Sequence, residues 1–522
     1  MNYYTLPKTN NFIDAIQITT QVLETSDCRK AEDLICSPSL NNVKRATDTD
    51  CRSIYDSTDD TTHISKTLCA YLQTIKKQID NNMDLWDNMK KFTNPYEFIH
   101  TVIPGCKVAA SQLKPLSRSF YKMIEISHTM DLFKDCSRRS VRTFHLAEGP
   151  GGFIEATRHI RNTSLKQELN LLSTIPQPPG LIDTSEIEER LRETYRNDRH
   201  YGMTLINESD TNIPGWGKSK GFLKKNPNVI IEKGVTGTGD LLSTDNLVYY
   251  FEHFNNSVDI VTGDGGFDFS IDFNHQELLA SKLLFAQICF ALAIQKERGH
   301  FVLKVFDLFT RSSIECLYLL SSLYEEVHII KPNTSRLANS EKYIVCKYFQ
   351  RNEKYNHLMT SIIDNFPLLT KNRIVPDDDT SDMTKKDERL SFTSQPTTGK
   401  NEAAHSILHH FIPFPIEYYF VNKIEDYNAI FGQQQIENIT TTMSNISSKA
   451  KADKIDNLKK NNILKCIAWC EKHNIPNNNA IISSSLSSKS HKKHHHHHGH
   501  GHGHGHGHGH GHGHSSNNKM KW

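Results

Sequence analysis

A glycine-rich turn between an apolar strand and a helix is the feature that most constrains this chain. The apolar run around Phe144 ends at an acidic residue, Glu148, and three glycines follow at positions 149, 151 and 152 before a helical pattern begins at Phe153. Strand, glycine turn and helix in this order form a nucleotide-sized crevice at the carboxyl end of a strand. Glycine is needed there because a side chain would meet the ligand or prevent the turn. The pattern therefore predicts a ligand site in an α/β fold, and its alternative is a buried strand followed by a ligand-free turn.

The chemistry of the turn indicates the class of ligand. The pattern G-x-x-x-x-G-K-[ST] is absent, and this turn holds no G-x-G-x-x-G, so it is not a phosphate-binding loop. A carboxylate at the strand tip repels a pyrophosphate but suits a cationic or hydroxyl-rich ligand. S-adenosylmethionine, which carries ammonium and sulfonium charges, is such a ligand.

Apolar strands alternate with helical patterns through the middle of the chain, and the most apolar helix is expected at 276–295. We predict strands at 143–147, 200–206, 228–232, 257–263, 300–306, 326–331 and 342–348. This alternation predicts a doubly wound, mostly parallel α/β sheet. The last two strands, joined by the short loop 332–341, are expected to form an antiparallel edge pair.

Composition divides the 522 residues into segments, because a hydrophobic content of 37% is low for a wholly globular chain. We predict a polar, partly helical N-terminal extension at 1–92, a main domain at 93–352, a helix and disordered linker at 353–404, a small helical module at 405–478 and a low-complexity Gly/His tail at 479–522. The tail holds 14 of the 29 histidines within 491–514, and such a repeat cannot pack a core.

Targeting signals and cysteine usage predict an intracellular, soluble protein without a membrane partner. The start of the chain lacks the basic and apolar regions of a signal peptide, and no run of about 18 consecutive apolar residues occurs. The 11 scattered cysteines indicate reduced thiols. Cys466, Cys470 and His473 have metal-like spacing but no second ligand pair, so we expect no metal site.

A basic segment precedes the glycine turn. Residues 101–142 hold eight basic and three acidic side chains, whereas the whole chain has a net charge of only +2. Aromatic residues at 120, 121 and 133 interleave with the basic ones. The segment is therefore either a solvated face or a groove that binds a nucleic acid backbone.

Four ionisable residues are candidates for catalysis. Lys304 lies inside an apolar strand, where an ammonium is costly unless it is paired, so it is either a structural lysine bonded to a carbonyl or a functional one. Asp264 ends the preceding strand, Glu341 opens the final one, and Lys122 lies on a helix before the first strand. Two lysines and two carboxylates suit the deprotonation of a weakly acidic alcohol. Lys304 would be the base, and neighbouring positive charge would favour its neutral amine.

Motifs spread over residues 94–350 resemble a known enzyme family. They are Lys122 and the segments 148–152, 202–205, 239–240, 262–267, 300–310 and 331–341. In this order they resemble the FtsJ-type ribose 2'-O-methyltransferases, most closely the branch that methylates the first nucleotides of capped mRNA. One departure is that the stretch between residue 97 and Lys122 is longer than the family's usual spacing.

The resemblance implies a Rossmann-like methyltransferase fold with helical flanking segments, and S-adenosyl-L-methionine as cofactor. It implies a catalytic Lys-Asp-Lys-Glu tetrad with Lys304 as the base, whose members are Lys122, Asp264, Lys304 and Glu341. The implied cofactor residues are Glu148, Gly149, Pro150, Gly151, Gly152, Phe153, Asp240 and Asp264, with Asp240 on the adenosine side.

The same resemblance implies the 5' end of capped mRNA as substrate and other capping enzymes as partners. Two alternatives are a 2'-O-methyltransferase of ribosomal or transfer RNA, and a catalytically retired RNA-binding subunit of a capping complex. Ser335, Arg336 and the run 339–341 favour the mRNA branch, and the presence of all four tetrad residues favours an active enzyme. Polar flanks with a Gly/His tail also resemble proteins of large DNA viruses.

Overall fold

The computed structural model of the chain describes residues 3–9, 13, 15–23, 63–174, 184–206, 215–266, 275–370, 405–449 and 452–483. The predicted disordered linker and most of the predicted Gly/His tail lie outside these residues. The strands are β1 Tyr3–Leu6, β2 Thr19–Leu23, β3 Arg142–Leu146, β4 Arg199–Met203, β5 Val229–Glu232, β6 Val258–Gly263, β7 Gln295–Val305, β8 Tyr324–Ile330, β9 Lys342–Phe349 and β10 His405–His410. The helices are α1 Lys66–Asp80, α2 Met83–Thr93, α3 Ser119–Met130, α4 Gly152–Thr174, α5 Thr184–Arg196, α6 Lys220–Lys225, α7 Thr244–Phe254, α8 Gln276–Ile294, α9 Arg311–Leu323, α10 Tyr355–Asn365, α11 Tyr418–Ser447 and α12 Ala452–Lys472.

An eight-stranded mixed sheet lies at the centre of the described part of the chain, with the order β1-β8-β9-β7-β6-β3-β4-β5. The five strands from β7 to β5 are parallel to one another, and β9 runs antiparallel to both β7 and β8. The predicted doubly wound, mostly parallel Rossmann-like sheet is therefore confirmed. β2 and β10 form a separate two-stranded antiparallel sheet.

The last two strands pair as predicted, but they do not form the edge of the sheet. β8 and β9 are antiparallel, with Ile329 opposite Ile344. β1 then pairs antiparallel with the other side of β8, from Tyr3 opposite Ile330 to Leu6 opposite Val327. This added strand satisfies backbone groups that an edge strand would leave unpaired. The pairing joins segments more than 300 residues apart, so local patterns could not reveal it.

Helices cover both faces of the sheet. α7, α8, α9 and α10 contribute to one apolar cluster with the buried strand residues, while α3, α4 and α12 contribute to the cluster on the other face. α8 has the length and composition of a membrane-crossing helix, but 72% of its apolar window is buried inside the protein. A helix that is apolar on all sides suits the interior of a large fold.

The flanking segments pack onto the central fold. α11 contacts α1 and α2, and α12 contacts α2 and the short 3-10 helix Glu97–Ile99. The domain boundaries stay a prediction. The cysteines within the described residues are free thiols. Cys466 and Cys470 belong to the apolar cluster beneath α12, where the Cys466 thiol donates a hydrogen bond to the carbonyl of Pro95.

Candidate active site

The candidate site lies where the order of the parallel strands reverses. The chain passes from β3 outward to β4 and β5, and then returns to β6 on the other side of β3. Connections from two neighbouring strands therefore diverge and open a crevice beyond their carboxyl ends. Glu148 follows β3 and Asp264 follows β6, so the topology brings both carboxylates to this crevice.

The glycine turn carries the chain from β3 directly into α4. Gly151 has a φ angle of 107°, and glycine adopts such backbone without steric cost. Ala147, directly after β3, has a φ of 52°, which a residue with a Cβ adopts only at a steric cost. A Cβ at Gly149 would lie only 2.7 Å from the carbonyl oxygen of Gly215, and a Cβ at Gly152 would meet the hydroxyl of Ser117. Pro150 lies between them, and its carbonyl accepts a hydrogen bond from Ser219. The backbone of the turn thus packs closely against residues 117, 215 and 219, which only residues without a side chain at 149 and 152 permit.

Glu148 is a buried carboxylate with one unsatisfied oxygen. Its Oε1 accepts a hydrogen bond of 2.6 Å from the backbone N–H of Phe153, whereas Oε2 is buried and has no hydrogen-bond partner among the described residues. Burial, together with the negative charge of Asp264, raises the pKa of Glu148 well above its usual value. A buried acceptor without a donor is unfavourable, so Oε2 suits a ligand that brings a cation or a hydrogen-bond donor.

Asp240 lies beyond the carboxyl end of β5, at the outer part of the same edge. Gly239 before it has a φ of 66°, and any side chain there would collide with the backbone of Thr204. Asp240 Oδ1 accepts a hydrogen bond of 2.8 Å from the N–H of Leu242. The turn therefore holds this carboxylate in a defined position at the end of the crevice.

Lys122 and Glu341 form a buried ion pair. The Lys122 ammonium lies 2.6 Å from Glu341 Oε1, with the two side chains 9% and 15% exposed. Burial lowers the pKa of Lys122, and Glu341 opposes that shift. For Glu341 burial works against ionisation, but Lys122, Lys304 and Lys331 outweigh it and lower its pKa well below the usual range. Glu341 is therefore ionised at neutral pH.

Lys304 and Asp264 form the second pair. Lys304 Nζ donates a hydrogen bond of 2.7 Å to the backbone oxygen of Asp264 and lies 3.4 Å from its Oδ1. The two side chains are 14% and 15% exposed. Lys304 thus has the carbonyl contact expected of a structural lysine, and it also lies beside a carboxylate at the crevice. Its functional role stays a prediction.

Tyr343 belongs to the same cluster and was not predicted. Its hydroxyl donates a hydrogen bond of 3.1 Å to Asp264 Oδ1, and its ring lies 6.0 Å from Lys122 Nζ and 5.9 Å from the ring of Phe153. The signal that could have identified it is register, because Tyr343 lies directly opposite Lys304 in the β7–β9 ladder. Residues directly opposite each other in an antiparallel pair project from the same face.

The loop between β8 and β9 holds Glu341 in place. Lys331 Nζ donates hydrogen bonds of 2.6 Å to the carbonyls of Asn339 and Glu341 and to the Asn339 side chain. Ser335 donates a hydrogen bond of 2.9 Å to Glu341 Oε1. Hydrogen bonds within the segment 331–341 therefore fix its conformation, and its last residue, Glu341, contacts Lys122.

The basic segment at 101–142 does not form a single groove. Lys122 is in the cluster, but Arg142 is the first residue of β3, at the opposite end of that strand from Glu148. Arg139 pairs at 2.9 Å with Asp259, near the start of β6, and Arg138 lies 3.4 Å from Glu168. α3 carries the chain across the sheet, so Lys122 and Arg142 lie toward opposite ends of it. Whether the part of the segment beside Lys122 is a nucleic-acid-binding groove or a solvated face stays a prediction.

Comparisons with known proteins agree with this architecture. Residues 204–349 match the family model described as FtsJ-like methyltransferase. The chain is 29% identical over 303 residues to "Cap-specific mRNA (nucleoside-2'-O-)-methyltransferase 2" of Danio rerio, covering 56% of this chain and 36% of that protein. It is 39% identical over 153 residues to "Cap-specific mRNA (nucleoside-2'-O-)-methyltransferase 1" of Mus musculus, covering 28% of this chain and 18% of that protein.

A third relative, with the same name as the mouse protein, comes from Trypanosoma cruzi. It is 33% identical over 191 residues, which cover 36% of this chain and 51% of that protein. The chain thus spans about half the length of this relative and smaller shares of the other two. The matching segments and the strand order together show that this chain carries an FtsJ-like methyltransferase domain.

Proposed function

We propose that this protein transfers a methyl group from S-adenosyl-L-methionine to the ribose 2'-hydroxyl of a 5'-terminal nucleotide of capped mRNA. The observation that carries the proposal is the cluster at the strand tips. There Lys122–Glu341 and Lys304–Asp264 form two ion pairs that are largely shielded from solvent. Tyr343 donates a hydrogen bond to Asp264, and its ring lies 6.0 Å from Lys122 Nζ. Paired cationic and anionic groups beside a ligand crevice can bind a hydroxyl and accept its proton.

The residues of the crevice fit the cofactor. S-adenosyl-L-methionine, when bound, supplies an electrophilic methyl group on a cationic sulfur. Glu148 Oε2 is a buried acceptor without a hydrogen-bond donor among the described residues, and the glycine turn at 149–152 begins directly after it. Asp240 would hold the adenosine end through hydrogen bonds to hydroxyl groups, as acidic residues near this place do for nucleoside ligands.

Lys304 is the proposed general base. Its amine donates one hydrogen bond to the Asp264 carbonyl, which holds the nitrogen at the crevice, and the deprotonated amine can accept the ribose hydroxyl proton. Asp264, which itself accepts a hydrogen bond from Tyr343, holds Lys304 from one side. Lys122 and Glu341 supply the neighbouring charges. Most of the rate gain would come from proximity and orientation of the reacting groups.

The relatives support this substrate class, because all three are cap-specific mRNA (nucleoside-2'-O-)-methyltransferases. Within the motif at 331–341, Ser335, Arg336 and the run 339–341 are the residues that favour this branch over ribosomal or transfer RNA. From this substrate class we infer an intracellular location and other capping enzymes as partners.

The test is mass spectrometry of short RNAs incubated with the protein and isotopically labelled cofactor. Capped mRNA 5' ends should gain one methyl group on a ribose near the cap, and fragmentation identifies which nucleotide carries it. Uncapped ribosomal and transfer RNA fragments are the comparison substrates. Equal methylation of uncapped RNA would refute the cap preference, and no methylation of any RNA by a protein that binds the cofactor would indicate a retired RNA-binding subunit.

A further inference from the structure

Glu125 is a buried carboxylate outside the proposed tetrad that gathers hydrogen bonds from two distant parts of the chain. Its Oε1 accepts from the backbone and side-chain nitrogens of Asn333, both at 2.8 Å. Its Oε2 accepts from the N–H and hydroxyl of Thr334, both at 3.1 Å. Trp469 of α12 adds its indole N–H to Oε2 at 3.3 Å. Five donors thus converge on one side chain that is 2% exposed.

The residues that Glu125 binds begin the loop that carries Glu341. Thr334 precedes Ser335, whose hydroxyl is bonded to Glu341. Arg118 adds a hydrogen bond of 3.2 Å from Nη2 to the carbonyl of Thr334. Arg118 directly precedes α3, Lys122 follows it by four residues, and Glu125 follows Lys122 by three. This helical spacing places the three residues on one side of the helix. One helix side therefore holds the loop at three points.

The C-terminal helices hold the other side of the same loop. α11 contributes Gln435, whose side-chain amide donates a hydrogen bond of 2.9 Å to the carbonyl of Ala338. Trp469 of α12 acts on the loop through Glu125. The Trp469 ring packs against Tyr121 of α3 at a centroid distance of 5.9 Å. These helices lie beyond residues 204–349, which match the methyltransferase family model, yet they contact the loop that positions its carboxylate.

We propose that Glu125 is a positioning residue, and that with Trp469 it makes the C-terminal helices a required part of the active site by holding loop 332–341 so that Glu341 stays on Lys122. The kinetic test of this proposal rests on the proposed methyl transfer, whereas the test of loop order does not. It predicts that loop order and catalytic rate change together when the hydrogen bonds to Glu125 are altered.

The sharpest perturbation is Glu125→Gln, because it keeps the size of the side chain. A carboxylate can accept at both oxygens, whereas an amide places an NH2 group against N–H donors of Asn333 or of Thr334 and Trp469. Two or more buried donors then lose their acceptor. The matched control is Glu353→Gln, the same change on an exposed glutamate far from the loop.

Hydrogen exchange followed by mass spectrometry measures the loop directly and needs no substrate. In Glu125→Gln we expect faster exchange in the peptide covering 332–341 and no change in the peptide covering β6. In the methylation assay kcat should fall about tenfold, while the KM for S-adenosyl-L-methionine stays the same, because the loop does not line the cofactor turn. Glu353→Gln should match the unmodified protein in both measurements.

Trp469→Phe is the second variant, and it removes only the indole N–H while keeping an aromatic ring. It should produce a smaller change of the same kind, and combining it with Glu125→Gln should add little, because both act through one contact. Unchanged exchange at 332–341 in both single variants would overturn the proposal. So would additive losses, or a loss that appears only in the KM for the cofactor. If the unmodified protein methylates no RNA, the proposed function fails, while the exchange data still decide the role of Glu125.

Discussion

The buried pair of Lys122 and Glu341 gives the most quantitative prediction for stability. Removing one partner of a buried ion pair leaves an uncompensated charge and typically costs about 3–5 kcal/mol of unfolding free energy. Glu341→Gln removes the carboxylate bonded to Lys122 at 2.6 Å, so we expect a loss of about 3 kcal/mol, near the low end because the site is partly open to solvent.

The opposite variant should cost less. In Lys122→Met the carboxylate of Glu341 keeps the hydrogen bond from Ser335 and the positive charges of Lys304 and Lys331. We therefore expect a loss of about 1–2 kcal/mol, between the values for exposed and fully buried pairs. The double variant should lose less than the sum of both, because neither member of the Lys122–Glu341 pair is left without its partner.

Urea denaturation followed by circular dichroism measures these free energies, and the methylation assay should show that all three variants are inactive. Lys90→Met is the control, because Lys90 pairs at 2.5 Å with the exposed Asp87 and should change stability by less than about 1 kcal/mol. Additive losses in the double variant, or a larger loss for Lys122→Met than for Glu341→Gln, would refute this account of the pair.

Three further predictions test other parts of the site. Lys304→Ala should lower methyl transfer by at least about 100-fold with unchanged cofactor affinity by calorimetry, while Lys296→Ala on the exposed start of the same strand should be active; an active Lys304→Ala protein would remove Lys304 as the base. Glu148→Gln should weaken binding of S-adenosyl-L-methionine about tenfold, because an amide that keeps the hydrogen bond from Phe153 presents an NH2 donor to the ligand in place of an acceptor oxygen; unchanged affinity by calorimetry would contradict the assigned position of the cofactor. Burial opposes ionisation of Glu97, but Arg336, bonded to it at 2.6 Å, outweighs burial and lowers the pKa of Glu97 to about 2. The stability from this pair is therefore complete above about pH 4.5 and is lost as the pH falls toward 2. Acid denaturation of Arg336→Gln should show a weaker loss in that range, and an identical pH profile would argue against the pair.

Local patterns in the sequence were sufficient for the order of the elements. Alternating apolar strands and helices predicted the parallel part of the sheet, because strand and helix periodicities depend on neighbouring residues. The glycine turn and the residues at the strand tips followed from the same patterns, since the carboxyl ends of parallel strands meet at one edge. The resemblance of the motifs then selected Lys122, Asp264, Lys304 and Glu341, and the structure brings these four residues together.

Tertiary structure alone decided which distant groups complete the site. Tyr343 reaches Asp264 only through the register of β7 with β9, and Trp469 reaches Glu125 across 344 positions of sequence. β1 pairs with β8, although the paired residues are more than 300 positions apart. The division of the basic segment also depends on the direction in which α3 crosses the sheet. Such contacts depend on how elements pack and pair after folding, and no spacing along the chain records them.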